Sequence, residues 1–294
     1  MAIVQFAIDV LRSNRAVQRF CCAFNSFNST EDAYKLVDAV LEHPTISEVS
    51  FRGSFRHGIT TYLPVKRLFC GLGTDALLEL DLANNGIKTN GDRCIPDFLS
   101  TNPPLERLFF WGNRLNDDDA LNIAVALQSN THLIHLSLYN NELTENGKSI
   151  FYHQSVLGVS PLDLSALQSI SGVNMNSVSG ANHTCNIHGI PNCTHQVDWI
   201  SEKTFMNDSS KSSKWNRRRK LLWLLEKMHH DGVNMTQIVS EFSEDDLGLV
   251  PQVLACINTY ATDYGSVASI YNLSLIFELA RDWKTPEMYQ FRHA

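Results

Sequence analysis

LLELDLANNGI at 77–87, LERLFFWGNRL at 105–115 and LIHLSLYNNEL at 133–143 are three writings of one pattern, L-x-x-L-x-L-x-x-N-x-L. Their starts lie 28 residues apart. A fixed period of this size marks a repeat architecture, in which each unit buries its apolar face only against its neighbours.

Two earlier copies emerge once the template is known. VQRFCCAFNSF at 17–27 sets Val17, Phe20, Cys22, Asn25 and Phe27 on the key positions, and ISEVSFRGS at 46–54 sets Ile46, Val49 and Phe51 there. In the second of these Ser54 replaces the asparagine. Strand-bearing segments therefore start near 17, 46, 77, 105 and 133, in steps of 29, 31, 28 and 28 residues.

The spacing inside a unit dictates its shape. The pairs Leu80/Leu82, Leu108/Phe110 and Leu136/Leu138 alternate with period two, so both members point to one face of a strand. The asparagine that follows suits a chain reversal, because its side chain bonds nearby backbone. The period then becomes helical: Ala120, Leu121, Ala124 and Leu127 follow the acidic start Asp117–Asp119. Helices are likewise expected over Phe6–Leu11, Ala33–Leu41, Ile59–Phe69, Cys94–Leu99 and Ile150–Leu157. The expected fold class is α/β, with a parallel sheet on the concave side of a curved solenoid and helices on the convex side.

Three regions are expected: the repeat array over 1–157, a degenerate, loop-rich linker over 158–213 and a helical C-terminal region over 214–294 that is either a cap on the array or an independent domain. Weak strands are read at Leu162–Leu164 and around Cys185–Ile190. Helical faces such as Leu221/Leu224/Leu225/Met228 and Ile270/Leu273/Phe277/Ala280 mark the last region.

The units at 77, 105 and 133 resemble the ribonuclease-inhibitor-like branch of leucine-rich repeat proteins, whose repeats run to about 28–29 residues with true helix on the convex side. The tail, with NRRRKLL at 216–222 and VPQVLACI at 250–257, resembles the helical tails of leucine-rich repeat proteins from unicellular algae. The resemblance implies a non-enzymatic scaffold that holds a protein partner of unknown identity on its concave face. It implies no cofactor and no small-molecule substrate. Two other roles come with it: an adaptor of the ubiquitin-ligase-receptor type that recruits a second protein through its C-terminal helices, and a GTPase-activating protein. No segment resembling an F-box precedes the repeats, and the activating proteins have longer arrays with specific catalytic residues that are not placed on this sequence.

Residues alternating with the core leucines form three columns across the expected sheet: Arg19, Glu48, Glu79, Arg107, His135; Cys21, Ser50, Asp81, Phe109, Ser137; and Ala23, Arg52, Ala83, Trp111, Tyr139. With strands about 4.8 Å apart, Trp111 and Tyr139 should be neighbours, and Phe109 should share their face. Tryptophan, tyrosine and arginine are the residues enriched in interface hot spots. The expected contact set is therefore Arg107, Phe109, Trp111, His135 and Tyr139, with Glu79, Asp81 and Arg52 beside them. The competing reading has the chain's own irregular segment or tail folding over these aromatics.

Composition narrows the rest. A net charge of −7 opposes general nucleic-acid affinity. No apolar run approaches the ~18 residues of a membrane span, and the N-terminus makes a poor signal peptide because Asp9 interrupts its apolar residues. Seven irregularly spaced cysteines do not make a disulfide framework, so a reducing cytoplasmic or nuclear setting is expected, and the six N-x-S/T sequons carry no weight in it.

Sharper motifs fail on context. Gly71-Leu-Gly73-Thr-Asp-Ala76 follows a helix and precedes a strand, the reverse of a dinucleotide fingerprint. Gly147-Lys148-Ser149 lacks the earlier glycine of a phosphate loop, which would fall at Glu142. His183, Cys185, His188, Cys193 and His195 are zinc-ligand types without paired-ligand spacing, so no metal is expected. His135, Ser137 and Asp81 have the residue types of a catalytic triad but neither a sharp turn nor an oxyanion site. The run KWNRRRK at 214–220 reads as a solvated helix start before it reads as a nuclear-import patch.

Overall fold

Strand and helix alternate without exception through the computed structural model, which describes residues 2–27, 29–55, 62–72, 77–158, 181–190, 207, 209–213, 216 and 220. In chain order the elements are α1 (Ala2–Ser13), β1 (Arg19–Cys21), α2 (Thr30–Leu41), β2 (Glu48–Ser50), α3 (Tyr62–Gly71), β3 (Glu79–Asp81), α4 (Cys94–Ser100), β4 (Arg107–Phe109), α5 (Asp117–Ser129), β5 (His135–Ser137), α6 (Glu145–Leu157) and β6 (Asn186–His188). The strand expected at Leu162–Leu164, the residues Cys193 and His195, and the helical faces beyond Lys220 lie outside the described residues.

The six strands form one parallel sheet in the order β1-β2-β3-β4-β5-β6. Parallel neighbours cannot be joined by a tight turn, and here a helix lies between each consecutive pair. Successive helices pack on one another from α1 through α6 and so make a second layer. The central strand residues Val49, Leu80, Leu108, Leu136 and Ile187 are at most 4% exposed and fill the space between the layers. Each such side chain contributes about 2 kcal/mol by leaving water.

Register follows the repeat spacing. Arg19, Glu48, Glu79, Arg107, His135 and Asn186 are successive partners, as are Cys21, Ser50, Asp81, Phe109, Ser137 and His188. The columns expected from the sequence are thus rows of the sheet, and β6 adds a sixth member within the expected Cys185–Ile190. The sheet therefore continues beyond residue 157.

The repeated asparagine is what joins one unit to the next. Asn113 donates through Nδ2 to the carbonyls of Leu82 and Phe110, one in the preceding unit and one in its own. Its Oδ1 accepts from the amides of Asn85 and Ile87. Asn85 repeats the arrangement on Phe51, Leu82 and the Phe55 amide, and Asn141 on Phe110, Leu138 and the Leu115 amide. The side chain satisfies backbone groups that would otherwise be orphaned as the strands end. Asn25, which follows β1, makes no such bridge among the described residues, where its Nδ2 donates to the Ala23 carbonyl.

Ser54 keeps one of these links, donating to the Cys22 carbonyl. Phe55 takes the apolar place that falls two residues after the asparagine elsewhere, so this turn is a residue shorter. Its ring stacks on Phe27 at 5.4 Å and meets Phe51 at 5.2 Å.

A second set of polar side chains ties the other ends of the strands. Asn130 donates to the Leu99 carbonyl and accepts from Leu133 N–H, and Asn182 donates to Leu127 and accepts from Cys185 N–H. Asn207 and Asn216 donate to the carbonyls of Cys185 and His183, and the fully buried Lys220 donates to that of Asn182 at 2.9 Å. Lys220 is therefore no part of a solvated basic run. Two of the sequons are structural in the same way, since Asn182 and Asn207 are 3% and 5% exposed.

Helix starts also carry local causes. Asn116 and Asp119 form a reciprocal capping box at α5. Helix α6 begins at Glu145, five residues before the expected Ile150, because the Thr144 hydroxyl accepts from Gly147 N–H and caps a polar first turn. No helix among the described residues is long and apolar enough to cross a membrane.

Candidate functional site

The face of the sheet turned away from the helices carries the residues singled out above, and its first row is a chain of charges. Glu48 and Glu79 are direct neighbours, and like charges so placed repel. Arginines on either side relieve this. Arg19 forks onto both carboxylate oxygens of Glu48, and Arg107 donates to Glu79 at 2.6 Å. The Arg19 hydrogen bond holds the Glu48 carboxyl below the usual carboxylate range, and the bond to Glu79 raises Arg107.

Asp81, expected at the partner-facing surface, is instead 5% exposed. Its carboxylate accepts from Arg52 at 2.8 Å, from the Ala83 amide at 3.0 Å and from the Ser50 hydroxyl at 3.4 Å. An isolated buried carboxylate would be costly, and these bonds offset that cost. Asp81 positions Arg52 and is almost wholly withdrawn from solvent.

Arg52 in turn lies over the Trp111 ring, 5.4 Å from its centroid. The two belong to units two strands apart, and the small Ala83 between them, fully buried, leaves the space for the contact. Trp111 and Tyr139 follow neighbouring strands as expected, and the Gly112 amide donates to the Tyr139 carbonyl at 2.8 Å. Among the ring contacts of the described residues, however, Tyr139 stacks on His188 at 6.5 Å and Trp111 meets Arg52. His188 also stacks on His135 at 5.8 Å, with planes 21° apart. Tyr139 is 53% exposed and Phe109 half-buried. Burial, then the neighbouring His188 and Arg107, lowers the His135 pKa.

The residues thus divide into two groups. In the first, Glu79 pairs with Arg107, and Asp81, Arg52 and Trp111 are joined by an ion pair and the cation–π contact. His135, Tyr139 and His188 form an aromatic edge on β5 and β6. The sequence puts His188 in a weak strand and among metal-ligand types; its place beside Ser137 depends on a strand separated from β5 by more than forty residues.

A second residue missed in the sequence is Phe24. The position after the third column is occupied by Phe24, Gly53, Asn84, Gly112 and Asn140, and all five have positive φ. Glycine and asparagine adopt that left-handed turn readily, whereas phenylalanine does so at a cost. Phe24 is 69% exposed at φ 59°, lying over Gly53 where even a Cβ would come within 2.9 Å of its ring. Residues held in such sparsely populated backbone conformations cluster at functional sites. The departure from Gly/Asn at this one repeat position was visible in the alignment of units.

The other chemistry weighed above separates in space. Cys185 is buried in the core while His188 stacks on the outer face, and no three metal-ligand side chains converge among the described residues. Ser137 is 8% exposed, and Asp81 lies two strands away, bonded to Arg52. No family model matches this chain, and no curated protein is significantly similar to it.

Proposed function

We propose that this chain is a leucine-rich repeat solenoid, working in a reducing compartment, that binds a protein partner on the exposed face of its sheet, with Trp111, Tyr139 and the two histidines at the centre of contact. The observation that carries this reading is the division of the face. Its carboxylates at 48, 79 and 81 are satisfied by arginines of the same face, so an approaching protein would meet neutralised ion pairs. Beside them lies an aromatic edge, led by the half-exposed Tyr139, whose burial would be favourable. Large rigid side chains next to satisfied polar groups are the composition of an interface centre. The bonds from Asn207, Asn216 and Lys220 to the backbone of the sixth unit support a tail that covers the end of the array.

The test is comparative capture with the intact chain and with Trp111→Ala/Tyr139→Ala, followed by affinity measurement on any partner found. Each substitution should weaken binding by about 2 kcal/mol, roughly 30-fold. Equal capture and equal affinity by a folded double variant would remove the proposal.

A further inference from the structure

On the helical side of the molecule, away from the sheet face, two thiols meet. Cys70 near the end of α3 and Cys94 at the start of α4 bring their sulfurs to 2.8 Å. Cys22 and Cys185 are buried in the core, whereas Cys70 is exposed and Cys94 half-buried. The pair is therefore reachable from solvent through Cys70, with Cys94 lying behind it. Lys66, one helical turn before Cys70, is close enough to interact with both sulfurs while it pairs with Asp92.

We propose that Cys70 and Cys94 are a thiol-disulfide exchange site that takes a small-molecule disulfide such as oxidised glutathione and closes into a reversible disulfide linking α3 to α4. A sulfur–sulfur bond is about 2.05 Å long, so closure requires the sulfurs to approach by less than about 1 Å. In the first step the Cys70 thiolate attacks one sulfur of oxidised glutathione. A mixed disulfide forms at Cys70, and one glutathione thiolate leaves and takes up the proton that Cys70 gave to water. Cys94 then loses its proton to solvent and attacks the Cys70 sulfur, expelling the second glutathione thiolate, which is protonated in turn. Two protein thiols are oxidised, and one glutathione disulfide is reduced to two thiols.

The order of attack follows from the geometry. Burial, and next the hydrogen bond with Cys70, pushes the Cys94 thiol up to about 12, so it stays protonated while Cys70 is free. Mixed-disulfide formation at Cys70 removes that hydrogen bond and puts a leaving group beside Cys94. The closed loop would contain β3, with Asp81 and the bridging Asn85, and so would restrain the unit at the middle of the array. A single such bond, with Cys21, Cys22 and Cys185 free among the described residues, has the character of a redox-responsive site.

The test uses the full chain, reduced and then equilibrated in glutathione buffers of increasing oxidised fraction, quenched by alkylation and digested with trypsin. Cleavage after Arg67, Lys88 and Arg93 puts the two cysteines on separate peptides, 68–88 and 94–107, each with one cysteine. The expected product is that linked pair, absent under reducing conditions and returning to free thiols on reduction. Cys94→Ser should instead leave glutathione on Cys70, and Cys70→Ser should leave Cys94 unmodified. Oxidised wild type should melt roughly 5–10 °C above the reduced form, with no such shift in either variant. Alkylation of both cysteines at every ratio, while the exposed Cys21 acquires glutathione, would overturn the proposal. Stable glutathione on Cys70 of the wild type would do the same, and a linked pair with no rise in melting temperature would remove the restraint on the array.

Discussion

Arg52 lies over Trp111 across a whole strand, its guanidinium 5.4 Å from the ring centroid, and is held there by the buried carboxylate of Asp81. Three units contribute to this one contact: the second supplies the cation, the third the anion, and the fourth the ring. A partially exposed cation–π pair contributes about 0.5–1 kcal/mol. Arg52→Ala and Trp111→Ala should therefore be non-additive by that amount in a double-mutant cycle followed by urea denaturation. Strict additivity would show that the contact adds nothing to stability. Asp81→Asn should loosen it as well, because Arg52 loses its charged partner.

The bridging asparagines give a graded series. Asn113→Ala removes four hydrogen bonds and leaves the buried amides of Asn85 and Ile87 without their acceptor, while the Leu82 and Phe110 carbonyls keep the bonds from Asn85 and Asn141. The expected loss is about 2–4 kcal/mol. Asn25→Ala, at an exposed position with one short-range bond, should cost less than about 0.5 kcal/mol. Similar losses at both positions would mean that bridging between units is not the source of the asparagine's contribution.

Phe24 should be replaceable with gain. Asn at this position suits the left-handed turn that Asn84 and Asn140 adopt in later units, so Phe24→Asn should stabilise the fold by about 1 kcal/mol. If Phe24 also meets the partner, the same variant should bind more weakly while melting higher. A variant that melts lower than wild type would show that packing of the ring on Gly53 outweighs the backbone strain.

Acidification should weaken the fold through two histidines whose pKa values are lowered. For His153, burial is the cause, opposed by its hydrogen bond with the Ser149 carbonyl at 2.6 Å; for His135, burial comes first and then His188 and Arg107. A histidine that resists protonation when folded stabilises the protein fully above its unfolded value, about 6.5. That stability is lost as pH falls below this value toward the folded pKa, because the unfolded chain binds more protons. The urea midpoint should drop between pH 7.5 and 5.5, and His135→Gln should remove part of the drop. A midpoint independent of pH in that window would contradict both assignments.

Alternation of strand and helix, the rows of the sheet and the turn asparagines are legible in spacing alone, because they depend on spacings of two to eleven residues within a unit and on the period of 28–31 residues between units. Once Leu80, Leu108 and Leu136 must all face inward, Glu79, Arg107 and His135 have no choice but to share the opposite face. Which residues of that face meet solvent emerges only when the units pack together. Asp81 and Trp111 occupy equivalent-looking outward positions, yet one is buried under Arg52 and the other lies partly covered by it. Side-chain reach between units, about 5 Å per strand, created that difference, and it depends on how long the residue two units away is. The same lateral reach put His188 beside Tyr139 and brought Cys70 to Cys94. Local spacing is written in one unit at a time, whereas these contacts exist only once the units are stacked.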